Sequence, residues 1–159
     1  MSFLVDTNIF VDAHRRYYGF DIVPSFWEFL DQQFGSGVLV SVKPVLEELK
    51  AGNDALADWA KDRSQFFHDI GDAQTLQKMA EIADWVTHQE YTQAALAEFL
   101  SVADYYLVAF AAAHGHAVVT HEQPSPGAKK RVLIPNVCNT FGIRYVDTFQ
   151  IIRTLKASF

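Results

Sequence analysis

Short runs of consecutive apolar residues recur along the chain, with longer helix-like stretches between them. The runs are rich in Val or Leu and lack the polar alternation of a strand with one face in water. They predict strands buried on both faces, as in a parallel sheet covered by helices. The predicted strands are Phe3–Val5, Val38–Val40, Ala117–Val119 and, from a weaker pattern, Arg144–Val146.

Between these runs, apolar residues recur at the three- and four-residue spacing of amphipathic helices. In the first part of the chain this spacing predicts helices over Ile9–Tyr18, Pro24–Phe34 and Pro44–Lys50. Each of the first two predicted strands is therefore followed by a helix. This order is typical of a parallel sheet with helical crossovers.

The middle of the chain is predicted to be helical throughout. Asp72 is a predicted N-cap, and the helix after it has one apolar face, formed by Leu76, Met79, Ala83 and Val86. A further helix is predicted to begin near Ser101, because Ser101–Asp104 has the form of a capping box, and to end at Gly115.

The order of these elements predicts a three-layer α/β/α domain with a mainly parallel central sheet. The chain length of 159 residues fits one domain, and no repeat or linker-like segment divides it. We therefore expect a single domain over residues 1–159. The formal net charge of −6 argues against a uniformly basic nucleic-acid binder, but it allows an acidic nuclease with a local basic patch.

Cysteine content and apolar run lengths bear on the compartment. The single cysteine, Cys138, excludes an intramolecular disulfide and suits a reducing cytoplasm. The first residues lack the charged start and apolar core of a signal peptide. The longest apolar stretch, Tyr105–Ala113, is too short to span a bilayer. We expect a soluble, cytoplasmic protein without a membrane partner.

Four acidic residues follow the predicted strands in a way that suggests a shared site. Asp6 ends the first strand, and Glu122 follows the third. Glu48 lies in the helix after the second strand, and Asp104 lies in the first turn of the helix that leads to the third. Because open parallel sheets bind ligands at the carboxyl ends of their strands, we expect these carboxylates to converge there.

Each acid also has a purely structural explanation. Asp6 can cap the helix that follows it, although Thr7 and Asn8 can do the same and leave Asp6 free. Asp104 occupies the acidic position of the predicted capping box. Glu48 is a good surface helix former, and Glu122 taken alone is equally ambiguous.

Taken together, the acidic segments resemble the motifs of the PIN-domain nucleases. The segments are Val5–Asn8, Glu47–Leu49, Ala103–Ala109 and Val118–Glu122. They occur in the family's order and span essentially the whole chain, which looks closest to the small VapC-type toxins. The resemblance implies a PIN-like, Rossmann-like fold and a metal-dependent endoribonuclease, with a toxin–antitoxin role as one expectation.

The resemblance also implies roles for individual residues. The catalytic and metal-site acids are then Asp6, Glu48, Asp104 and Glu122. Glu48 is preferred to Glu47 because it directly precedes a hydrophobic residue. Glu122 stands where the family more often has Asp, and its longer side chain leaves direct metal ligation open. Asn8 and Thr120 match polar positions that orient the acids or a water.

The expected cofactor is Mg²⁺ or Mn²⁺, because hydrolysis of a phosphodiester needs an activated water and neutralisation of phosphate charge. Closely placed acids repel one another, so at least one should have a raised pKa without metal. The expected partners are an RNA substrate and, by resemblance, an antitoxin protein and a second copy in a homodimer.

Basic residues that could hold the substrate's phosphates are concentrated in one run, formed by Lys129, Lys130 and Arg131. A solvated loop explains this run equally well. The segment Arg15–Tyr18 offers further phosphate and stacking contacts, although core packing of one tyrosine is the simpler explanation. His114, His116 and His121 lack the spacing of a zinc site with cysteine partners, and His121 adjoins Glu122.

Two alternative functions remain open from the sequence. A haloacid-dehalogenase-like phosphatase also begins with Asp after a first strand, but it needs a second acid where this chain has Asn8. A non-catalytic PIN-like module that binds RNA or protein is compatible with Glu122 at the fourth position and with the negative net charge.

Overall fold

The computed structural model describes residues 2–159. Helices and strands alternate along the chain as the apolar pattern predicts. The strands are β1 (Phe3–Val5), β2 (Leu39–Val42), β3 (Phe67–His68), β4 (Ala117–Val119) and β5 (Tyr145–Val146). The α-helices are α1 (Thr7–Asp12), α2 (Pro24–Gly35), α3 (Lys43–Lys50), α4 (Ala55–Lys61), α5 (Ala73–Thr87), α6 (Gln93–Phe99), α7 (Ala103–His114), α8 (Ile134–Phe141) and α9 (Thr148–Thr154). A π-helical turn, Ala13–Tyr17, continues α1, and a 3₁₀ turn, Ser64–Phe66, precedes β3.

The strands form one parallel sheet in the order β3-β2-β1-β4-β5 within the described residues. Phe3 in β1 is paired with Leu39 on one side and with Ala117 on the other. The central position of β1 brings the ends of β1, β2 and β4 together. The α/β fold with a mainly parallel sheet is confirmed.

Aromatic side chains of α1, α2 and α4 pack against one another and against the sheet. Phe10 has no exposed surface, and its ring lies 6.0 Å from Phe34, 5.8 Å from Trp59 and 6.1 Å from Phe67. Burial of large apolar rings is a main source of folding free energy. The packing therefore fixes α1 against the sheet, directly after Asp6.

Nearly every residue of α7 is apolar, which suits a helix that is covered by other elements on most sides. It packs against α3, α5, α8 and the sheet, and Leu107, Val108 and Ala109 are fully buried. Gly115 ends the helix in the left-handed region at φ 74°, where glycine carries no steric penalty. The predicted end of this helix is confirmed.

Two local predictions were wrong. Leu76 does not belong to the buried face of α5, because it is 50% exposed while Thr75, Ile82 and Val86 are buried. The predicted capping box at Ser101 is absent, because the hydroxyl of Ser101 donates to the carbonyl oxygen of Glu98 at 2.9 Å. Strand β3 was not predicted, since two residues carry no periodicity.

No single helix among residues 2–159 is long and apolar enough to cross a membrane. Helices α6 and α7 together have the length and composition, but they are bent by 64° at the break between them.

Candidate active site

Asp6 lies where β1 ends, and its side chain is almost completely enclosed. The residue is 1% exposed. It occupies the N-cap position of α1 but forms no capping hydrogen bond, although the backbone N–H of the adjacent Thr7 lowers its pKa. The hydroxyl of Thr120 donates to Oδ2 at 3.3 Å, whereas the buried Oδ1 has no hydrogen-bond partner among the described residues. Capping of α1 therefore does not account for the Asp6 side chain, and its enclosed Oδ1 is left without a partner among the described residues.

Glu48 projects from α3 and links three elements. Its Oε1 accepts a hydrogen bond from the hydroxyl of Thr7 at 2.7 Å, and its Oε2 accepts one from the backbone N–H of Ala103 at 3.0 Å. Ala103 is the first residue of α7, so the carboxylate satisfies a helix N–H that has no partner within its own helix. Glu47 instead pairs with Lys50 at 3.3 Å.

Asp104 follows Ala103 in the first turn of α7. The capping role considered from the sequence is not observed, because the N-cap residue is Val102 and Asp104 forms no capping hydrogen bond. The Asp104 carboxylate accepts no hydrogen bond from any described residue. It lines a small pocket with Glu98, Val102, Arg131 and Val132.

Glu122 has both carboxylate oxygens engaged. Arg131 Nη2 donates to Oε1 at 2.7 Å, and the backbone N–H of Ile134 donates to Oε2 at 2.7 Å. The Glu122 side chain is 11% exposed, and it provides a hydrogen-bond acceptor for the first backbone N–H of α8. A metal ion at Glu122 would therefore compete with the guanidinium of Arg131 and the N–H of Ile134 for the carboxylate oxygens.

The four acids form one electrostatic group. Burial raises the pKa of Asp6 well above its ordinary value, and the nearby Asp104 and Glu122 raise it further, against a lowering by the Thr120 hydroxyl and the backbone N–H of Thr7. The pKa of Asp104 is raised to about 7, mainly by burial and further by Glu122 and Glu48, against a lowering by Arg131. The four acids thus lie close enough to one another to shift each other's pKa at the carboxyl edge of the sheet.

The available oxygens fit a hydrated divalent cation. Mg²⁺ and Mn²⁺ prefer oxygen ligands, and Mg²⁺ commonly keeps several waters beside one or two carboxylates. An unpartnered buried carboxylate oxygen is costly unless a cation or a donor compensates it. Among residues 2–159, no three Asp, Glu, His or Cys side chains are placed to hold one ion together. Asp6 and Asp104 are the two acids of the site with a carboxylate oxygen that no described residue engages, so their chemistry fits a cation that keeps several waters.

The predicted substrate-binding cations are mostly paired. Lys129 forms a salt bridge with Glu90 at 2.6 Å, and Arg131 is held by Glu122. Lys130 is exposed and forms no ion pair with a described residue. The basic run is thus not a free cationic loop.

The two predicted orienting residues behave differently. Thr120 contacts both ends of the site, because its hydroxyl donates to Asp6 and also accepts the backbone N–H of Glu122 at 3.2 Å. Asn8 is exposed and makes no side-chain hydrogen bond to the described part of the chain.

Three contributions were missed from the sequence. Thr7 orients Glu48, the N–H of Ala103 binds the same carboxylate, and Glu98 raises the pKa of Asp104 from the end of α6. The available signal for Glu98 was its position near the end of α6, six residues before Asp104. The contacts of Glu48 span more than 40 residues of chain and have no local signature.

A central parallel strand that ends in a buried carboxylate, with further acids on the flanking helices and after β4, defines an α/β protein of PIN-like fold. The chain belongs to the family described as a domain of unknown function, DUF4411, whose model matches residues 3–159.

A comparison with solved structures supports the fold. The chain is similar to a chain in the crystal structure of VapBC2 from Rickettsia felis bound to a DNA fragment from their promoter. The TM-score is 0.56 and the sequence identity is 14%, over 92% of this chain and 98% of that chain. No curated protein matches the chain.

Proposed function

We propose that this protein is a divalent-metal-dependent endoribonuclease that hydrolyses RNA phosphodiester bonds. The observation that carries the proposal is the buried Asp6 Oδ1, which has no hydrogen-bond partner among residues 2–159 and lies in a group of mutually repelling acids. A structural carboxylate is normally satisfied by donors. An oxygen left open in a crowded acidic site is what a metal-dependent hydrolase needs.

In this proposal Asp6 and Asp104 hold Mg²⁺ or Mn²⁺. The bound metal supplies an activated water and neutralises charge on the phosphate. Thr120 orients Asp6 through Oδ2 and leaves Oδ1 toward the ion. Glu48 fixes the first turn of α7 and thereby the position of Asp104. Glu122 anchors Arg131 at the pocket beside Asp104, where a guanidinium suits an incoming phosphate.

The proposed partners are an RNA substrate, an antitoxin protein and a second copy of the chain, and the proposed compartment is the cytoplasm. The likeness to a VapBC2 chain, together with the resemblance of the motifs to small VapC-type toxins, motivates the antitoxin. Engagement of Glu48 and Glu122 in hydrogen bonds favours a second candidate, a PIN-like module that binds RNA without cleaving it.

The test compares cleavage of a labelled single-stranded RNA by wild-type protein in EDTA, Mg²⁺ and Mn²⁺. We expect cleavage only with metal, and its loss in the isosteric variants Asp6→Asn and Asp104→Asn. Asp62→Asn, at an exposed position at the end of α4, is the matched control and should cleave as wild type does.

Calorimetry with Mn²⁺ separates the two candidates. The nuclease requires that Mn²⁺ binds wild type and that each Asp→Asn variant at the site binds it at least about tenfold more weakly. RNA binding without Mn²⁺ binding or cleavage would assign the non-catalytic module instead. Cleavage that persists in Asp6→Asn would refute the assigned site.

A further inference from the structure

An exposed group of aromatic rings lies at the end of β4, beside the acidic site. Tyr17 is 51% exposed and Phe149 is 43% exposed. Their ring centroids are 6.3 Å apart in an edge-on arrangement, and the ring of His121 lies 6.5 Å from each. We call Tyr17, His121 and Phe149 the aromatic platform.

Packing in the core accounts for the tyrosine next to Tyr17 but not for Tyr17 itself. Tyr18 stacks on Phe26 with centroids 4.3 Å apart and planes at 14°, and its backbone carbonyl accepts the indole N–H of Trp27. The π-helical turn Ala13–Tyr17 ends between the two tyrosines, so that one ring enters the core and the other stays at the surface.

The platform adjoins the acids through the chain itself. His121 stands between Thr120, whose hydroxyl contacts Asp6, and Glu122. Its Nε2 lies 3.4 Å from the hydroxyl of Thr148, which ties it to α9. The platform is therefore joined to the acidic site by consecutive residues of the chain, so a polymer bound at the acids has the rings within reach.

Three arginines lie near the platform residues in sequence and form no ion pair with a described residue. Arg15 and Arg16 immediately precede Tyr17, and Arg153 lies four residues after Phe149, on the same face of α9. Lys43, Lys50, Lys61, Arg63, Lys78, Lys129 and Arg131 each pair with Asp or Glu, whereas Lys130 and Lys156 also form no ion pair with a described residue. In a chain with a net charge of −6, this surface favours a polyanion over an apolar peptide.

We propose that the aromatic platform stacks bases of single-stranded RNA while Arg15, Arg16 and Arg153 bind its phosphates, so that the strand is guided to the acidic site. The proposal rests on the proposed function and deepens it. Aromatic rings stack on unpaired bases of any sequence, and duplex RNA keeps its bases unavailable. The platform therefore selects single strands without reading sequence.

The test measures binding of a fluorescently labelled single-stranded RNA of mixed sequence by anisotropy, with wild-type protein in EDTA so that no cleavage occurs. We expect Tyr17→Ala and Phe149→Ala each to weaken binding about tenfold. Tyr17→Trp keeps a stacking ring and should bind nearly as wild type does. Leu76→Ala is the matched control, because Leu76 is 50% exposed on α5 and should leave binding unchanged. A duplex of the same sequence should respond little to any of these variants.

The outcomes separate this proposal from the nuclease. Weakened RNA binding by Tyr17→Ala and Phe149→Ala supports the platform even when no metal ion elicits cleavage. Unchanged binding overturns the platform, whether or not the wild type cleaves RNA. If the two variants instead alter only self-association in light scattering, the rings form an interface between copies and the proposal fails.

Discussion

Glu48 Oε2 accepts the backbone N–H of Ala103 at 3.0 Å and so joins the second acidic motif to the helix that carries the third. The positive end of the α7 dipole lies at this N–H and offsets the negative charge of Glu48. The contact holds Glu48 and Asp104 in the same neighbourhood, although Glu48 raises the pKa of Asp104. Helix α7 thereby begins without a capping side chain of its own.

The first prediction concerns this helix start. Glu48→Ala removes the acceptor for Ala103 and should lower the free energy of unfolding by about 1 kcal/mol. Glu48→Gln keeps an acceptor oxygen and should lose less than half as much. Urea denaturation in EDTA at pH 5.5 measures this, because Asp104 is then mostly protonated and repulsion contributes little. Glu47→Ala, one residue away and exposed, should change stability only slightly; an equal loss in both alanine variants would contradict the assigned contact.

The second prediction concerns the pH dependence of metal-free protein. The pKa of Asp104 is raised from 3.8 to about 7, so the folded state binds more protons than the unfolded state between these values. The contribution of this carboxyl to stability is therefore fully present below pH 3.8 and is lost as pH rises toward 7. In EDTA at pH 8, Asp104→Asn should be more stable than wild type by about 2 kcal/mol.

This difference should disappear near pH 4, where wild-type Asp104 is protonated in the folded state. Adding Mn²⁺ at pH 8 should raise the thermal unfolding temperature of wild type but not that of Asp104→Asn. A wild type more stable than the variant in EDTA at pH 8 would show that Asp104 is not destabilised by its neighbours.

The third prediction separates two cations of the basic run. Arg131 lowers the pKa of Asp104, whereas Lys129 pairs with the exposed Glu90. Arg131→Gln should therefore raise the pKa of Asp104 above about 7, and Lys129→Gln should leave it unchanged. Titration of the side-chain carboxyl carbons by NMR in EDTA measures both. Equal shifts in the two variants would mean that the total positive charge of the basic run, and not the position of Arg131 against Glu122, sets the pKa of Asp104.

The parallel sheet and the acids at its edge could be predicted because they depend on local patterns. Strand β1 is an apolar run, and Asp6 follows it directly, so its place at the edge of the sheet depends on no distant residue. The engagement of Glu122 could not be predicted, because Arg131 and Ile134 reach it through the turns of a loop without periodicity. The capping box at Ser101 failed for the same reason: a distant carboxylate, from Glu48, satisfies the helix instead.

The fourth prediction concerns Thr120, the side chain that contacts Asp6. Its hydroxyl lowers the pKa of Asp6 against the strong increase from burial. Thr120→Val has the same shape but donates no hydrogen bond, so the pKa of Asp6 should rise further. Because a metal binds the deprotonated carboxylate, Mn²⁺ affinity at pH 7 should fall about tenfold, within the range of orienting contacts. This loss of Mn²⁺ affinity should be smaller at pH 8.5, where Asp6 loses its proton more readily.

Thr120→Ser should bind Mn²⁺ as wild type does in calorimetry, and Thr140→Val, at an exposed position on α8, is the control for the substitution itself. A deficit that is the same at both pH values would locate the effect in packing and not in the protonation of Asp6.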